Sequence, residues 1–204
     1  MDSLPEPACG RFALGFTIPR MRLRYALLAA CVASCGPPRQ QAAFFSFEGS
    51  LQNWEPHGLD LQAGGAEENW SITTNPAVAY DGPSSVRFFL DNVNGRGKIW
   101  LEKTFTLSPR GRYTAHIDFA VRATKDAAPA DPLIAGILPA PPRTDDALQP
   151  ALGLPGISGT SWATRVYDLQ LEGDSATVVI GISGTSPGQI VDYLDAVTVL
   201  FTER

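Results

Sequence analysis

Apolar and polar side chains alternate through nine residues at Tyr113–Val121, and this pattern restricts the possible folds more than any other feature of the chain. Ile117 and Phe119 fall on one face of an extended backbone, whereas His116 and Asp118 fall on the other. A period of two residues is that of a β-strand with one buried face. The chain is therefore predicted to contain at least one sheet that buries one of its sides.

Similar strand-like segments recur along the chain, with turns rich in Gly and Pro between them. Asn94–Gly95 predicts a tight hairpin, and the only helical pattern is one turn near Thr144–Leu148. We therefore predict an all-β fold, a two-sheet antiparallel β-sandwich of about eight to ten strands over residues 44–204. The further predicted strands are Phe44–Glu48, Trp70–Thr73, Ser85–Asp91, Lys98–Leu107, Leu133–Leu138, Trp162–Leu171, Ala176–Ser183 and Val191–Thr202.

The segment 125–160 interrupts this series of strands and is rich in Pro and Ala. It is longer than an ordinary connection between strands. We expect a long loop that contains one strand, Leu133–Leu138.

The N-terminal region has the pattern of a secretory signal. Two arginines precede an apolar run of ten residues, 25–34, which is too short to span a bilayer. The run ends in Val-Ala-Ser-Cys, which resembles a bacterial lipobox, so Cys35 is the expected site of lipidation and Cys31 the alternative. Residues 21–35 are thus predicted to be a lipoprotein signal peptide.

The resemblance to lipoproteins implies a location outside the cytoplasm, with the folded domain held at a bacterial membrane by lipid. Residues 36–43 contain Pro and Gln and are expected to form a flexible tether. Gly36, rather than Asp, follows the lipobox cysteine, which favours the outer membrane in a cell that has one. Residues 1–20 precede a complete signal, so we expect translation to start at Met21; the alternative is a cytoplasmic extension.

The charge of the chain argues against nucleic acid as a partner. The formal net charge is −5, and residues 1–35 contribute four Arg and two acidic side chains. The remainder has 12 basic and 19 acidic residues and no basic run. A groove that binds phosphates needs clustered Lys and Arg.

Several short phrases occur in a characteristic order between residues 44 and 204. They are Phe47-Glu48-Gly49, Asn53-Trp54, Trp70-Ser71-Ile72, Tyr80–Val86, Ile99–Lys103, Ser161-Trp162, Tyr167–Leu169 and Tyr193–Val199. In this order they resemble the galactose-binding-like jelly roll of carbohydrate-binding modules. The resemblance implies a β-sandwich that binds a glycan, although this fold also occurs in proteins with structural roles.

The same resemblance implies a structural Ca²⁺ between the first and last strands. The matching residues are Glu48, Asp81 and Asp195, and carboxylate oxygens are the ligands that Ca²⁺ prefers. Ala196 stands where many relatives have a second acid, which leaves one carboxylate fewer.

A sugar site needs flat aromatic surface and a few polar groups. Alternation places Trp100 on the polar face of its strand with Lys98 and Glu102, and Phe89 is a second candidate platform. The alternative for Trp100 is burial under the long loop or a neighbouring strand. Trp162 is compatible with either a core or a surface position.

The sequence contains no Ser-centred nucleophile elbow, no metalloprotease helix motif and no phosphate-binding loop. Carboxylates such as Glu48, Glu102 and Asp118 could form an acid–base pair for glycoside cleavage. We therefore expect a non-enzymatic lipoprotein that binds a glycan or envelope polysaccharide. The alternatives are a structural or protein-interaction module and, third, a small glycoside hydrolase.

Overall fold

The computed structural model describes residues 38–124, 131–157 and 160–204. Cys31, Cys35 and the predicted signal peptide lie outside these ranges. No helix within them is long and apolar enough to cross a membrane. The elements are β1 (Gln40–Phe45), β2 (Glu55–Leu59), β3 (Gln62–Ala63), β4 (Ala66–Glu67), β5 (Trp70–Asn75), β6 (Ser85–Asn92), β7 (Lys98–Ala123), β8 (Leu133–Leu138), α1 (Asp145–Leu148), a 3-10 turn (Gln149–Ala151), β9 (Ala163–Ser183) and β10 (Gly188–Glu203).

Two long strands, β7 and β9, pair antiparallel along most of their length and contribute to both layers of the sandwich. The first half of β7 and the second half of β9 lie with β2 and β8 in what we call layer two. The second half of β7 and the first half of β9 lie with β10, β6, β5 and β1 in layer one. The predicted antiparallel β-sandwich is confirmed.

The predicted turns within β7 and β9 mark bends in continuous strands. The register of the pair shifts between Thr106 and Gly111, opposite Gly173 and Ser175. The turn-forming residues thus interrupt the regular pairing without ending either strand. The sequence predicted four strands here because Pro and Gly signal a local change of backbone direction, which a bend satisfies as well as a hairpin does.

The predicted hairpin at Asn94–Gly95 is wrong. Gly95 does adopt a left-handed conformation, with φ of +71°. However, β6 pairs with β5 and β10, whereas the following half of β7 pairs with β2 and β9. The turn therefore carries the chain from layer one to layer two.

The core fills the space between the layers. Ile117 and Phe119, which the alternation placed on one face, are fully buried there. Leu101 and Ile180 of layer two and Val199 of layer one belong to the same cluster. Burial of this apolar surface is the main stabilising term of the fold.

The N-terminal strand begins earlier than predicted. Gln40–Ala43, expected to be part of a tether, pairs with Val199–Thr202 of β10. β1 lies at the edge of the sheet and is held to β10 by backbone hydrogen bonds, which do not require an alternating pattern of side chains. The polar sequence of these residues therefore did not indicate a strand.

The chain that follows β8 covers the outer face of layer two with α1 and the 3-10 turn. The predicted strand at Leu133–Leu138 is present as β8, and the predicted helical turn is α1, whose Thr144 hydroxyl accepts a hydrogen bond from the Ala147 N–H. Leu148 and Ala151 pack on this face in a second apolar cluster.

Candidate functional site

Trp100 is not a surface platform. Its side chain points away from the main core but is only 1 % exposed, because Leu148, Ala151 and Ile134 cover it. The alternative that the sequence left open, burial under the long loop, is the arrangement observed.

Glu102 lies beside Trp100 and is almost fully buried at 4 % exposure. Its carboxylate accepts two hydrogen bonds from the Arg143 guanidinium, at 2.8 and 2.9 Å, and one from Nε1 of Trp100 at 3.1 Å. Nε2 of His57 lies 3.1 Å from Oε1 of Glu102 without forming a hydrogen bond to it. Burial by itself raises the pKa of Glu102, but the hydrogen bonds from Arg143 and Trp100 outweigh it and leave the pKa below its ordinary value.

Lys98 is held by two carboxylates. Its Nζ lies 2.5 Å from Asp60 and 3.1 Å from Asp145 of α1. Burial alone lowers the pKa of Lys98, and the hydrogen bonds to these carboxylates more than compensate, so that the pKa lies above its ordinary value. Lys98, Trp100 and Glu102 therefore connect β7 to its covering segment, and the expectation that they present an open sugar-binding surface is wrong.

One group of potential metal ligands stands out among the described residues. Side-chain ligand atoms of Glu55, His57 and Glu102 lie within 4.8 Å of one another. The Arg143 guanidinium, however, already hydrogen-bonds both oxygens of Glu102. A divalent cation would have to displace this guanidinium, so the arrangement favours an ion pair over a metal centre.

The three carboxylates considered for acid–base catalysis do not converge. Glu102 lies on the outer face of layer two, whereas Asp118 lies in layer one on the face turned away from the core. Glu48 follows β1, near Ser84. His116 is paired with a carboxylate on the neighbouring strand, with Nδ1 2.8 Å from Oδ1 of Asp168.

Asp195, one of the three residues of the predicted calcium site, is fully buried and accepts hydrogen bonds from backbone N–H groups. Its Oδ2 lies 2.9 Å from the nitrogen of Tyr80 and 3.1 Å from that of Asp81, and its Oδ1 lies 2.7 Å from that of Ala196. The three N–H groups donate to both oxygens of the Asp195 carboxylate, and these oxygens are the atoms that a Ca²⁺ ion would bind.

Glu48 and Asp81 complete the predicted calcium set but do not join Asp195 in one ligand group. Among the residues that the structure describes, the only group of three or more acidic, His or Cys ligands is the one at Glu102. Glu48 packs instead over Gly82, where an added Cβ would lie 1.8 Å from its Oε1. The residues present therefore fit Ca²⁺ poorly.

Phe89 lies on the outer face of layer one, where the register brings other large side chains beside it. Tyr193 of β10 pairs with Arg87 of β6 on one side and with Arg122 of β7 on the other. Their neighbours Val86, Leu194 and Val121 belong to the core, so these three side chains point outward. We call Arg87, Phe89, Tyr193 and Arg122 the aromatic face.

A second aromatic pair borders this face. Trp162 immediately precedes Ala163, which pairs with Val121, and it therefore lies at the level of Arg122. Tyr80, which is 52 % exposed, contacts it edge to face with ring centroids 5.7 Å apart. The loop that contains Tyr80 is fixed by its backbone hydrogen bond to Asp195.

The two guanidinium groups of the aromatic face lack acidic partners. Arg87 lies over the Phe89 ring, 5.0 Å from its centroid, and Nε of Arg122 is buried without a hydrogen-bond partner. Within the described ranges, neither arginine forms an ion pair. Such a combination of aromatic surface and unpaired hydrogen-bond donors suits a polar ligand with flat apolar faces.

Sequence reasoning identified Phe89 but missed Tyr193, Arg87 and Arg122 as a group. Each has an outward position in an alternating segment, which is a usable signal. Their proximity depends on the order of strands β6, β10 and β7 in the sheet, and these strands are far apart in the chain.

Comparison with known proteins gives similarity only at the level of three-dimensional structure. No protein-family model matches the chain. No curated protein matches it. Several solved structures similar to it are carbohydrate-binding modules, in line with the resemblance predicted from the sequence phrases.

Three solved structures illustrate this similarity. TmCBM61 in complex with β-1,4-galactotriose has 12 % identity and a TM-score of 0.42, over 78 % of this chain and 94 % of that one. The CBM22-1 xylan-binding domain of Paenibacillus barcinonensis Xyn10C has 15 % identity and a TM-score of 0.45, over 79 % and 94 %. The K2 cleaved adhesin domain of Lys-gingipain has 15 % identity and a TM-score of 0.46, over 78 % and 99 %.

Proposed function

We propose that the sandwich binds carbohydrate non-covalently on the aromatic face and does not catalyse a reaction. The observation that carries this proposal is the position of Tyr193, between Arg87 and Arg122 on the two neighbouring strands. An aromatic ring can pack against the C–H face of a sugar, and guanidinium groups can donate hydrogen bonds to its hydroxyl oxygens.

The contributions of the aromatic residues differ. The guanidinium of Arg87 lies over the ring of Phe89, which reduces the surface that Phe89 offers to a ligand. Tyr193, together with Tyr80 and Trp162 at the border, supplies the remaining aromatic surface. Phe89 is therefore kept as part of the site, with Tyr193 at its centre.

The test is binding of the full-length chain, in detergent, to a panel of immobilised polysaccharides. Replacing Tyr193 by Ala should weaken binding at least about tenfold, as expected for an aromatic residue at the centre of an interface. The matched control is Phe44→Ala, which removes an aromatic side chain that is 57 % exposed on β1. Phe44→Ala should leave binding unchanged.

Two results would contradict the proposal. Equal loss of binding in both variants would show that the aromatic face is not the site. Absence of binding across the panel, with a cooperative thermal unfolding transition that proves the chain folded, would favour the alternative, a structural or protein-interaction module at the cell surface.

We also propose that the domain is held at the outside of a bacterial membrane by lipid on Cys35. The support is the lipobox-like Val-Ala-Ser-Cys sequence and its apolar run, which are features of the sequence. The domain begins shortly afterwards with β1 at Gln40, so the anchor would keep it close to the membrane surface. Several acyl chains together give stable anchoring, at about 0.8 kcal/mol per buried CH₂.

A further inference from the structure

From the charges of the aromatic face we infer that its ligand is an acidic glycan, one whose sugars carry carboxylate groups. This inference rests on the proposed function and narrows it to a substrate class. Its basis is the pair of guanidinium groups, Arg87 and Arg122, that flank Tyr193 in register.

The spacing of these groups is determined by the sheet. Neighbouring strands are about 4.8 Å apart, so the backbones of Arg87 and Arg122 are separated by about 10 Å with Tyr193 between them. Two cations on either side of an aromatic ring can contact two points of an extended ligand whose intervening part packs on that ring. One strand presents only one of these residues, so the arrangement exists only in the assembled sheet.

Neither cation is neutralised within the described part of the chain. All the ion pairs found there involve other basic residues, namely His57, Lys98, Arg112, His116 and Arg143. The Nε of Arg122 is buried and makes no hydrogen bond, which is costly for a charged donor. A carboxylate matches the planar fork of a guanidinium and would pair with the charge of Arg122 through its terminal N–H groups, which are not among the buried atoms without a partner.

Asp195 also lies on this outer face, two residues from Tyr193 along β10, but its carboxylate is buried and already accepts three backbone N–H groups. Along β6 and β7, the acidic residues of this face lie further from the cations. Asp91 lies four residues from Arg87 along β6, and Asp118 lies four residues from Arg122 along β7. Four residues of a strand span about 13 Å. The whole chain has a net charge of −5, so its overall charge repels a polyanion. An acidic glycan would therefore bind only where positive charge is concentrated, as it is at Arg87 and Arg122.

The first test compares polygalacturonate with the same polymer after complete methyl esterification, which removes the charge and keeps the sugar backbone. The full-length chain in 150 mM salt should bind polygalacturonate about 10- to 100-fold more tightly than the ester, as expected for charge-assisted hydrogen bonds. Arg122→Gln should abolish most of this difference, and Arg122→Lys should restore only part of it, since Lys lacks the planar fork.

The matched control is Arg112→Gln, which removes an exposed arginine on β7 that forms an ion pair with exposed Glu172. This variant should bind polygalacturonate like the unmodified chain. Thermal unfolding of each variant excludes loss of fold as the cause of weaker binding.

The outcomes separate the inference from the proposed function. Equal binding of the acid and the ester, abolished by Tyr193→Ala, would overturn the acidic-ligand inference and leave carbohydrate binding intact. Absence of binding to either form and to the neutral panel would overturn both. If dextran sulfate binds as tightly as polygalacturonate, and this binding is lost in every variant at 500 mM salt, the chain attracts polyanions in general. That result would also overturn the inference.

Discussion

The guanidinium of Arg143 donates two hydrogen bonds to the carboxylate of Glu102, from Nη1 to Oε2 at 2.9 Å and from Nη2 to Oε1 at 2.8 Å. Arg143 belongs to the segment that covers layer two, and Glu102 belongs to β7. The pair thus joins the cover to the sheet beside Trp100. It helps to explain why the part of β7 around Trp100, which the sequence predicted to be a sugar-binding surface, is covered.

Replacing Arg143 by Ala should lower the free energy of unfolding by about 1–3 kcal/mol, because the nearly buried Glu102 carboxylate loses its charged partner. Arg112→Ala is the control, since its ion pair with Glu172 is exposed at both ends and should contribute about 0–1 kcal/mol. Urea unfolding measures both effects. A loss for Arg143→Ala no larger than for Arg112→Ala would show that the cover does not depend on this pair.

Stability should decrease in acid partly through Glu102. Its pKa in the folded protein lies below the ordinary value of 4.5, so the stability it contributes is fully present above pH 4.5 and is lost as the pH falls through the lowered pKa. The difference in unfolding free energy between the unmodified chain and Glu102→Gln should therefore shrink as the pH falls from about 5.5 to about 3.5, which is about one unit on either side of the ordinary value. A difference that stays constant over this range would contradict the assignment.

Calcium should not stabilise the domain measurably through Glu48, Asp81 and Asp195. A weak extracellular site would add about 0.4–1.4 kcal/mol at 1 mM Ca²⁺, but the Asp195 carboxylate already accepts three backbone N–H groups. The melting temperature should be the same in 1 mM CaCl₂ and in EDTA. A calcium-dependent rise that disappears in Asp195→Asn would restore the calcium site predicted from the sequence.

Lipid should be attached to Cys35. Metabolic labelling of a bacterial host with a radioactive fatty acid should label the chain, and Cys35→Ala should lose both the label and the association with membranes. Cys31→Ala is the matched control and should keep both. Loss of label in Cys31→Ala alone would assign the alternative lipobox, and absence of label in the unmodified chain would contradict lipidation.

The candidate site shows why outward residues are easier to predict than their grouping. Alternation indicated that Phe89 and Trp100 both point away from the core, and both do. Alternation could not indicate which of the two outer faces, that of layer one or that of layer two, is open to solvent. That of layer two is covered by Leu148 and Ala151, which lie about 50 residues further along the chain than Trp100 (48 and 51 by position).

The sequence by itself determined most of the extended segments, their buried faces and the sandwich class, because an alternating pattern is a local property of the backbone. It did not indicate β2, β3 or β4, nor the first residues of β1. Tyr113–Val121 was predictable in this way, and so was the helical turn at Thr144. Only the tertiary structure decided which strands are neighbours. It placed Tyr193 between Arg87 and Arg122 and buried Trp100, since both results depend on pairing and packing between distant segments, which no local pattern encodes.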